Sequence, residues 1–214
     1  MASAAPHCRL YLKLPAKRSP SIESSFTQVI AQSGTQGGCV LLCRDAAGRD
    51  AAAVDAAWAD QTLQMAHDRD VAFLVEGDVE LARRIGADGV HIAADAAVYT
   101  HARERLGADA IIGAGCGQSR HDAMLLAERG VDYVAFEAPA RNSKPELASL
   151  IAWWSEIFVV PCVAFGVESP EEAKQLAGLG ADFVAPADSL WRSPDAAQQL
   201  ALFAAALGQK RSAA

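Results

Sequence analysis

The chain has 214 residues, of which 51% are apolar, and carries a formal net charge of −7. That length suits one large α/β domain or two small ones, with enough apolar side chains for a sizeable core. The negative balance argues against a nucleic acid or an anionic membrane as partner, and no apolar stretch reaches the length that spans a bilayer.

The first predicted strand is Leu10 to Leu14, and a helix follows from Ile22 to Ser33. Lys13 is an unusual residue inside so apolar a strand. Facing inward, it requires a carboxylate partner, because an unpaired buried charge is costly; Asp188 and Glu76 are the candidates. Cys39 to Cys43 reads as strand two, and an Ala-rich helix covers Ala51 to Arg69.

The stretch from Val71 to Ala93 holds a complete strand, helix and strand. Val71 to Val75 is a continuous apolar run, as expected of a parallel strand covered on both faces. Asp78 stands where an N-cap belongs, and Gly86 where a left-handed helix end belongs. Gly89 to Ile92 forms strand four. A parallel pair joined by a helix takes a right-handed crossover. Glu76 and Asp95 therefore both lie just past C-terminal strand ends, where α/β folds place their sites.

The same unit recurs to the end of the chain. Helix four covers Ala96 to Leu106, and strand five Ala110 to Ala114. A helix from Gln118 to Arg129 leads to strand six, Tyr133 to Phe136. After the loop Glu137 to Ser143, a helix starts near Pro145, and Phe158 to Ala164 is strand seven. Pro170 to Leu179 is helical, Phe183 to Ala185 is strand eight, and Pro194 to Leu207 is the last helix. Three helix-to-strand joints share one form: Gly86-Ala87-Asp88-Gly89, Gly130-Val131-Asp132-Tyr133 and Gly180-Ala181-Asp182-Phe183. They read as αβ turns on the stability face of a barrel. Eight β/α units without a linker predict one α/β domain over residues 1–214, a (β/α)8 TIM barrel; an open doubly wound sheet is the competing topology.

The five cysteines at 8, 39, 43, 116 and 162 show neither CxxC nor zinc spacing. With no signal-peptide pattern at the N-terminus, they predict a reducing, cytoplasmic setting.

The run Phe73-Leu74-Val75-Glu76-Gly77-Asp78-Val79-Glu80-Leu81-Ala82, followed by Gly86-Ala87-Asp88-Gly89-Val90-His91-Ile92, resembles the thiamine phosphate synthase/TenI family. That family usually reads F-I-[IV]-N-D-x-x-x-L-A and then G-A-D-G-[IV]-H-[LI]-G-Q-x-D. The likeness continues through Gly130 to Val134 and Gly180 to Val184. It implies a barrel that handles thiamine-precursor phosphates at its mouth. The synthase joins hydroxymethylpyrimidine diphosphate to thiazole phosphate and releases pyrophosphate. Such chemistry calls for Mg²⁺ on the leaving pyrophosphate, basic side chains, and backbone N–H groups for the thiazole phosphate.

The resemblance places Arg44 and Lys144 as catalytic cations, Arg44 from the family's Q-x-R-x-K and Lys144 from its strand-six loop. The family's N-D is Glu76-Gly77 here, and its G-Q-x-D is Ala93-Ala94-Asp95-Ala96. Glu76 and Asp95 are then either a hard-oxygen pair for Mg²⁺ or, for Asp95, a helix cap. The family's G-x-S-x-H is Gly113-Ala114-Gly115-Cys116-Gly117, which leaves Cys116 as a substrate contact or an apolar filler. Glu137 directs a carboxylate into the mouth. The phosphate cup retains Gly166, with Asp188 and Ser189 after strand eight; Asp188 is alternatively the N-cap of a short turn through Leu190-Trp191. His91 reads as a structural, hydrogen-bonded histidine.

Two functions follow. One is a divergent barrel whose transferase site is degenerate and binds another small ligand at the mouth. The other is an active synthase using Arg44, Lys144 and Glu76/Asp95 with Mg²⁺. Either takes a small-molecule partner, and either is compatible with a homo-oligomer.

Overall fold

The computed structural model describes residues 8–32, 38–43, 55–138 and 144–208. Eight strands, β1 (Arg9–Pro15), β2 (Cys39–Cys43), β3 (Ala72–Glu76), β4 (Gly89–Ala93), β5 (Ile111–Gly117), β6 (Tyr133–Glu137), β7 (Cys162–Val167) and β8 (Phe183–Pro186), pair in sequence order and close into a barrel. All pairings are parallel, and β1 seals the barrel against β8 through Arg9–Phe183 and Leu10–Val184. Helices α1 (Pro20–Gln32), α2 (Ala56–His67), α3 (Val79–Ile85), α4 (Ala96–Leu106), α5 (Arg120–Arg129), α6 (Lys144–Ile157), α7 (Pro170–Gly178) and α8 (Ala196–Gly208) follow the strands in turn. This is the predicted (β/α)8 TIM barrel. A 3₁₀ turn, Asp188–Arg192, separates β8 from α8.

The three Gly-x-Asp joints do the same structural work. Gly86, Gly130 and Gly180 take φ values of 72°, 94° and 105°, a region costly to residues with a Cβ. Each aspartate then accepts the N–H of a residue in the preceding strand: Asp88 from Phe73 at 2.7 Å, Asp132 from Ile112 at 2.8 Å, Asp182 from Cys162 at 2.8 Å. The carbonyls of those same three strand residues accept the aspartates' own N–H groups in return. One short motif thus ends a helix and ties the next strand to its neighbour.

Strand alternation divides the core in two. One face of each strand packs on the helices, for example Leu12, Leu14, Phe73, Val75 and Phe136. The other face fills the barrel, with Tyr11, Leu41, Leu74, Tyr133, Val163 and Phe165. Glycine lines the β4–β5 wall because large neighbours occupy that space. A Cβ on Gly113 would stand 1.9 Å from the Tyr133 ring, and one on Gly89 would stand 1.8 Å from the Ile111 carbonyl oxygen.

Several boundaries differ from expectation. Strand β5 runs on to Gly117, with a register shift against β6 between Gly115 and Gly117. Strand β7 begins at Cys162 rather than Phe158. Pro161 lacks the N–H a ladder needs; before it, Val159 is 99% exposed, Phe158 stacks on Trp154 with centroids 4.0 Å apart, and the Trp154 indole N–H donates to Val160 O at 2.7 Å. Helix α2 is seen from Ala56, after its N-cap Asp55; the residues predicted helical before Asp55 lie outside the described ones.

Candidate functional site at the C-terminal mouth

The inward parity that places Tyr11 and Leu74 inside the barrel also carries Lys13, Cys43, Glu76, Glu137 and Phe165 inward, higher up their strands. These residues lie at or near the C-terminal strand ends, the face on which barrels of this class build their sites.

Beneath them runs a buried polar chain. Tyr11 Oη and Tyr133 Oη are 2.6 Å apart, and Tyr133 Oη is 2.9 Å from His91 Nδ1. The His91 ring stacks on Tyr133 with centroids 5.7 Å apart and an interplanar angle of 18°. Burial, and then the positive charge of Lys13, push the His91 pKa down from 6.5 to about 3, so the imidazole is neutral. The Tyr133 hydroxyl links the Tyr11 hydroxyl and the neutral imidazole in one continuous buried hydrogen-bonded chain. His91 is thus the structural, hydrogen-bonded residue that the sequence suggested.

Lys13 is ion-paired, as its strand position required. Its ammonium is 3.2 Å from Asp188 Oδ1 and 3.3 Å from Oδ2, and it lies 5.0 Å from the centroid of the Phe165 ring. Burial lowers the Lys13 pKa, but Asp188, Cys43 and Glu137 outweigh it and the net shift is upward. The Lys13 carbonyl also accepts the Trp191 indole N–H. That bond ties the 3₁₀ turn to β1 and sets Asp188 over the ammonium. Asp188 is not the cap of this turn: the N-cap residue is Ala187, and no side-chain cap bond forms.

The other predicted site residues fall into three groups. Glu76 and Glu137 end β3 and β6 on their inward faces. Gly166, at φ +76°, lies beside Glu137, whose Oε1 is 3.7 Å from where a Gly166 Cβ would stand, and Ser189 is exposed on the 3₁₀ turn. Asp95 is exposed and caps α4, its Oδ1 accepting from Ala97 N at 2.7 Å and Val98 N at 3.1 Å. Cys116 does not reach the mouth. Its parity on the extended β5 matches that of Ile112 and Ala114, so it packs under the helices, 5% exposed, and burial lifts its thiol pKa to about 12. Arg44 lies outside the described residues; Lys144 begins α6, with its side chain outside them.

The sequence reading missed Tyr11, Tyr133 and Phe165 as the walls of the site. The available signal was parity, since each shares its strand's inward face with Lys13, Glu137 or Val163.

The donor set does not fit a protein-held Mg²⁺. Gly77 has no side chain where the family pattern has a carboxylate, and the Asp95 carboxylate is engaged by two amides. Among the described residues no three His, Cys, Asp or Glu side chains form a group that could hold a metal. None of the helices described is long and apolar enough to cross a membrane.

Fold and site together define a (β/α)8 barrel with a mixed-charge mouth above an aromatic floor. The profile described as thiamine monophosphate synthase matches residues 14–190, and the chain belongs to that family. It is 38% identical over 192 residues to a thiamine-phosphate synthase of Rhodospirillum centenum, covering 87% of this chain and 91% of that one. A thiamine-phosphate synthase of Erythrobacter litoralis is 40% identical over 144 residues, covering 64% of this chain and 67% of that one. Among solved structures, the thiamine phosphate pyrophosphorylase from Pyrococcus furiosus superposes with a TM-score of 0.73 at 18% identity, covering 95% of this chain and 96% of that one, a likeness of fold.

Proposed function

We propose that this chain is a thiamine-phosphate synthase, joining hydroxymethylpyrimidine diphosphate to thiazole phosphate with release of pyrophosphate. The observation that carries this reading is the 38% identity to the Rhodospirillum centenum synthase across 91% of that protein. In the reaction the thiazole nitrogen forms a bond to the pyrimidine methylene carbon while the bond from that carbon to the diphosphate oxygen breaks. The electron pair leaves with pyrophosphate, so the barrier falls where positive charge meets the departing oxygens. Arg44 and Lys144, which follow β2 and the strand-six loop, are the residues proposed for that task. Arg44 brings a planar fork matched to phosphate oxygens. Gly166, Asp188 and Ser189 are proposed to border the thiazole phosphate.

A second reading is favoured by one specific observation, the absence of a carboxylate at Gly77 together with the use of the Asp95 carboxylate as the cap of α4. In it the barrel keeps the family fold and binds a small ligand without transfer. Turnover of the two precursors decides between them. A rate within the usual enzymatic range of roughly 1–10³ per second, lost in Arg44→Ala, supports the synthase; no turnover in the intact protein supports the binding protein.

A further inference from the structure

The three Gly-x-Asp joints lie at the N-terminal ends of the strands, on the face opposite the mouth. They differ in one respect. In two of them a single aspartate oxygen takes a donor from a helix besides the strand amide. Asp88 Oδ2 accepts from Phe73 N at 2.7 Å and is 2.9 Å from Nε2 of His67, the last residue of α2. Asp132 Oδ2 accepts from Ile112 N at 2.8 Å and from Nη2 of Arg103, in the last turn of α4, at 2.8 Å. Asp182 Oδ2 accepts from Cys162 N at 2.8 Å and from no other described donor. The matching helix, α6, has no basic residue in its last turn, and Asp182 makes no ion pair among the described residues.

A cavity of about 320 Å³ opens beside this third joint, bordered by Trp154, Ser155, Phe158, Val159, Gly180 and Asp182. Arg103 shows what a cation does at such a joint. Its Nη1 donates to the carbonyls of Gly107, Ala108 and Ala110, its Nη2 reaches Asp132, and its guanidinium carbon lies 5.7 Å from the centre of the Tyr99 ring. At the third joint the Trp154 indole secures the loop instead, donating to Val160 O at 2.7 Å. An indole has one N–H, so the carboxylate is left unserved. The ring of Phe158, stacked on Trp154, supplies the aromatic neighbour. A carboxylate beside an aromatic face suits a planar cation with several N–H donors better than a compact, strongly hydrated ammonium.

We propose that this cavity is a guanidinium-binding site, in which the incoming group donates to Asp182 and lies against Phe158, as Arg103 donates to Asp132 beside Tyr99. The guanidinium comes either from a free small molecule or from an arginine side chain of another protein. The site is separate from the mouth, and the inference does not depend on the reaction there.

The test is a nuclear magnetic resonance titration of the isotope-labelled full chain with N-acetylarginine amide and N-acetyllysine amide at millimolar concentration. The arginine probe should shift the Cys162 amide and the Trp154 indole N–H saturably and leave the Phe73 and Ile112 amides in place, because their aspartates are already served. The lysine probe should bind more weakly. Asp182→Asn, which keeps an oxygen for the Cys162 amide, should weaken the arginine probe by about tenfold or more, the loss of a hydrogen bond to a charged group. Ser155→Arg, at an exposed position on the edge of the cavity, supplies the cation from within and should abolish the shifts. Thermal melts confirm that each variant is folded; if Asp182→Asn is not, Ser155→Arg decides, and unchanged affinity there overturns the proposal. It is also overturned by the absence of a saturable shift at Cys162, by equal affinity in wild type and folded Asp182→Asn, or by equal binding of the lysine probe. A peptide with leucines on both sides of the arginine separates the two sources. Tighter binding than the amide, through the exposed Val159, supports a protein-borne arginine, and equal binding supports a free guanidinium compound.

Discussion

Lys13 and Asp188 meet at the seam of the barrel, 175 positions apart in sequence, with Nζ 3.2 Å from Oδ1. The lysine side chain is 12% exposed and the aspartate 62%. One partner is therefore inside the wall and the other at its lip. Removing the exposed partner leaves a mostly buried ammonium without its acceptor, so the cost falls on the barrel, not on the surface. Asp188→Ala should lower stability by about 1–3 kcal/mol, and Asp188→Asn, which retains an acceptor, by less. The Lys13 pKa is raised in the folded state. Its contribution is therefore complete below the unfolded lysine pKa and is lost as pH rises through the higher folded value. Denaturant midpoints of the wild type and Asp188→Ala should differ by a constant amount across neutral pH; a gap that closes near neutrality contradicts the assignment.

His91 titrates in the opposite sense. Its folded pKa is about 3 against 6.5 when free. Above pH 6.5 it adds no pH dependence. As pH falls from 6.5 towards 3 the unfolded chain takes up a proton that the folded chain refuses, and stability declines by up to about 1.4 kcal/mol per pH unit. Urea titrations of the wild type and His91→Gln over this window should show a shallower decline in the variant. Parallel curves would refute a neutral buried imidazole.

Gly113→Ala tests the glycine wall. The new methyl would overlap the Tyr133 ring, and overpacking of this kind costs typically about 1–3 kcal/mol. Because Tyr133 joins Tyr11 to His91, near-ultraviolet circular dichroism should change as the melting temperature falls. Unaltered aromatic dichroism would show that Tyr133 is not fixed by this contact.

Arg44→Ala and Lys144→Ala should each reduce synthase turnover by roughly 10²–10³-fold, the usual effect of deleting one preorganised electrostatic group. Their combined effect will be less than the product, since both serve one departing group. Steady-state rates of the two single variants and the double variant measure this. Wild-type rates in both single variants would exclude these cations from the reaction.

Cys116→Ala should leave turnover unchanged and cost stability instead, because the thiol packs under the helices. Reaction of the native protein with a thiol reagent should be slow at this position, its pKa being lifted to about 12 by burial. Rapid labelling of Cys116 in the folded protein would place it at an open surface.

Much of this protein is set locally and could be read along the chain. Short apolar runs, three of them entered through Gly-x-Asp joints, pointed to buried parallel strands, and eight such runs in order favoured a closed barrel over an open sheet. The caps at Asp78, Asp95 and Gly86 were legible for the same reason, since a cap depends on residues within one turn. The pairing of Lys13 with a carboxylate followed from the cost of burying a lone charge. The choice of Asp188 over Glu76 did not. It required the seam between β1 and β8 and the Trp191 bond that sets the turn. Nor did the sequence decide which way Cys116 faces, because β5 continues past the expected end and parity, counted along the full strand, turns the thiol outward. The chain of Tyr11, Tyr133 and His91 is still further beyond sequence reading: its members come from three strands, and only barrel closure brings their polar atoms within hydrogen-bonding distance while glycines on a fourth strand leave room for the rings.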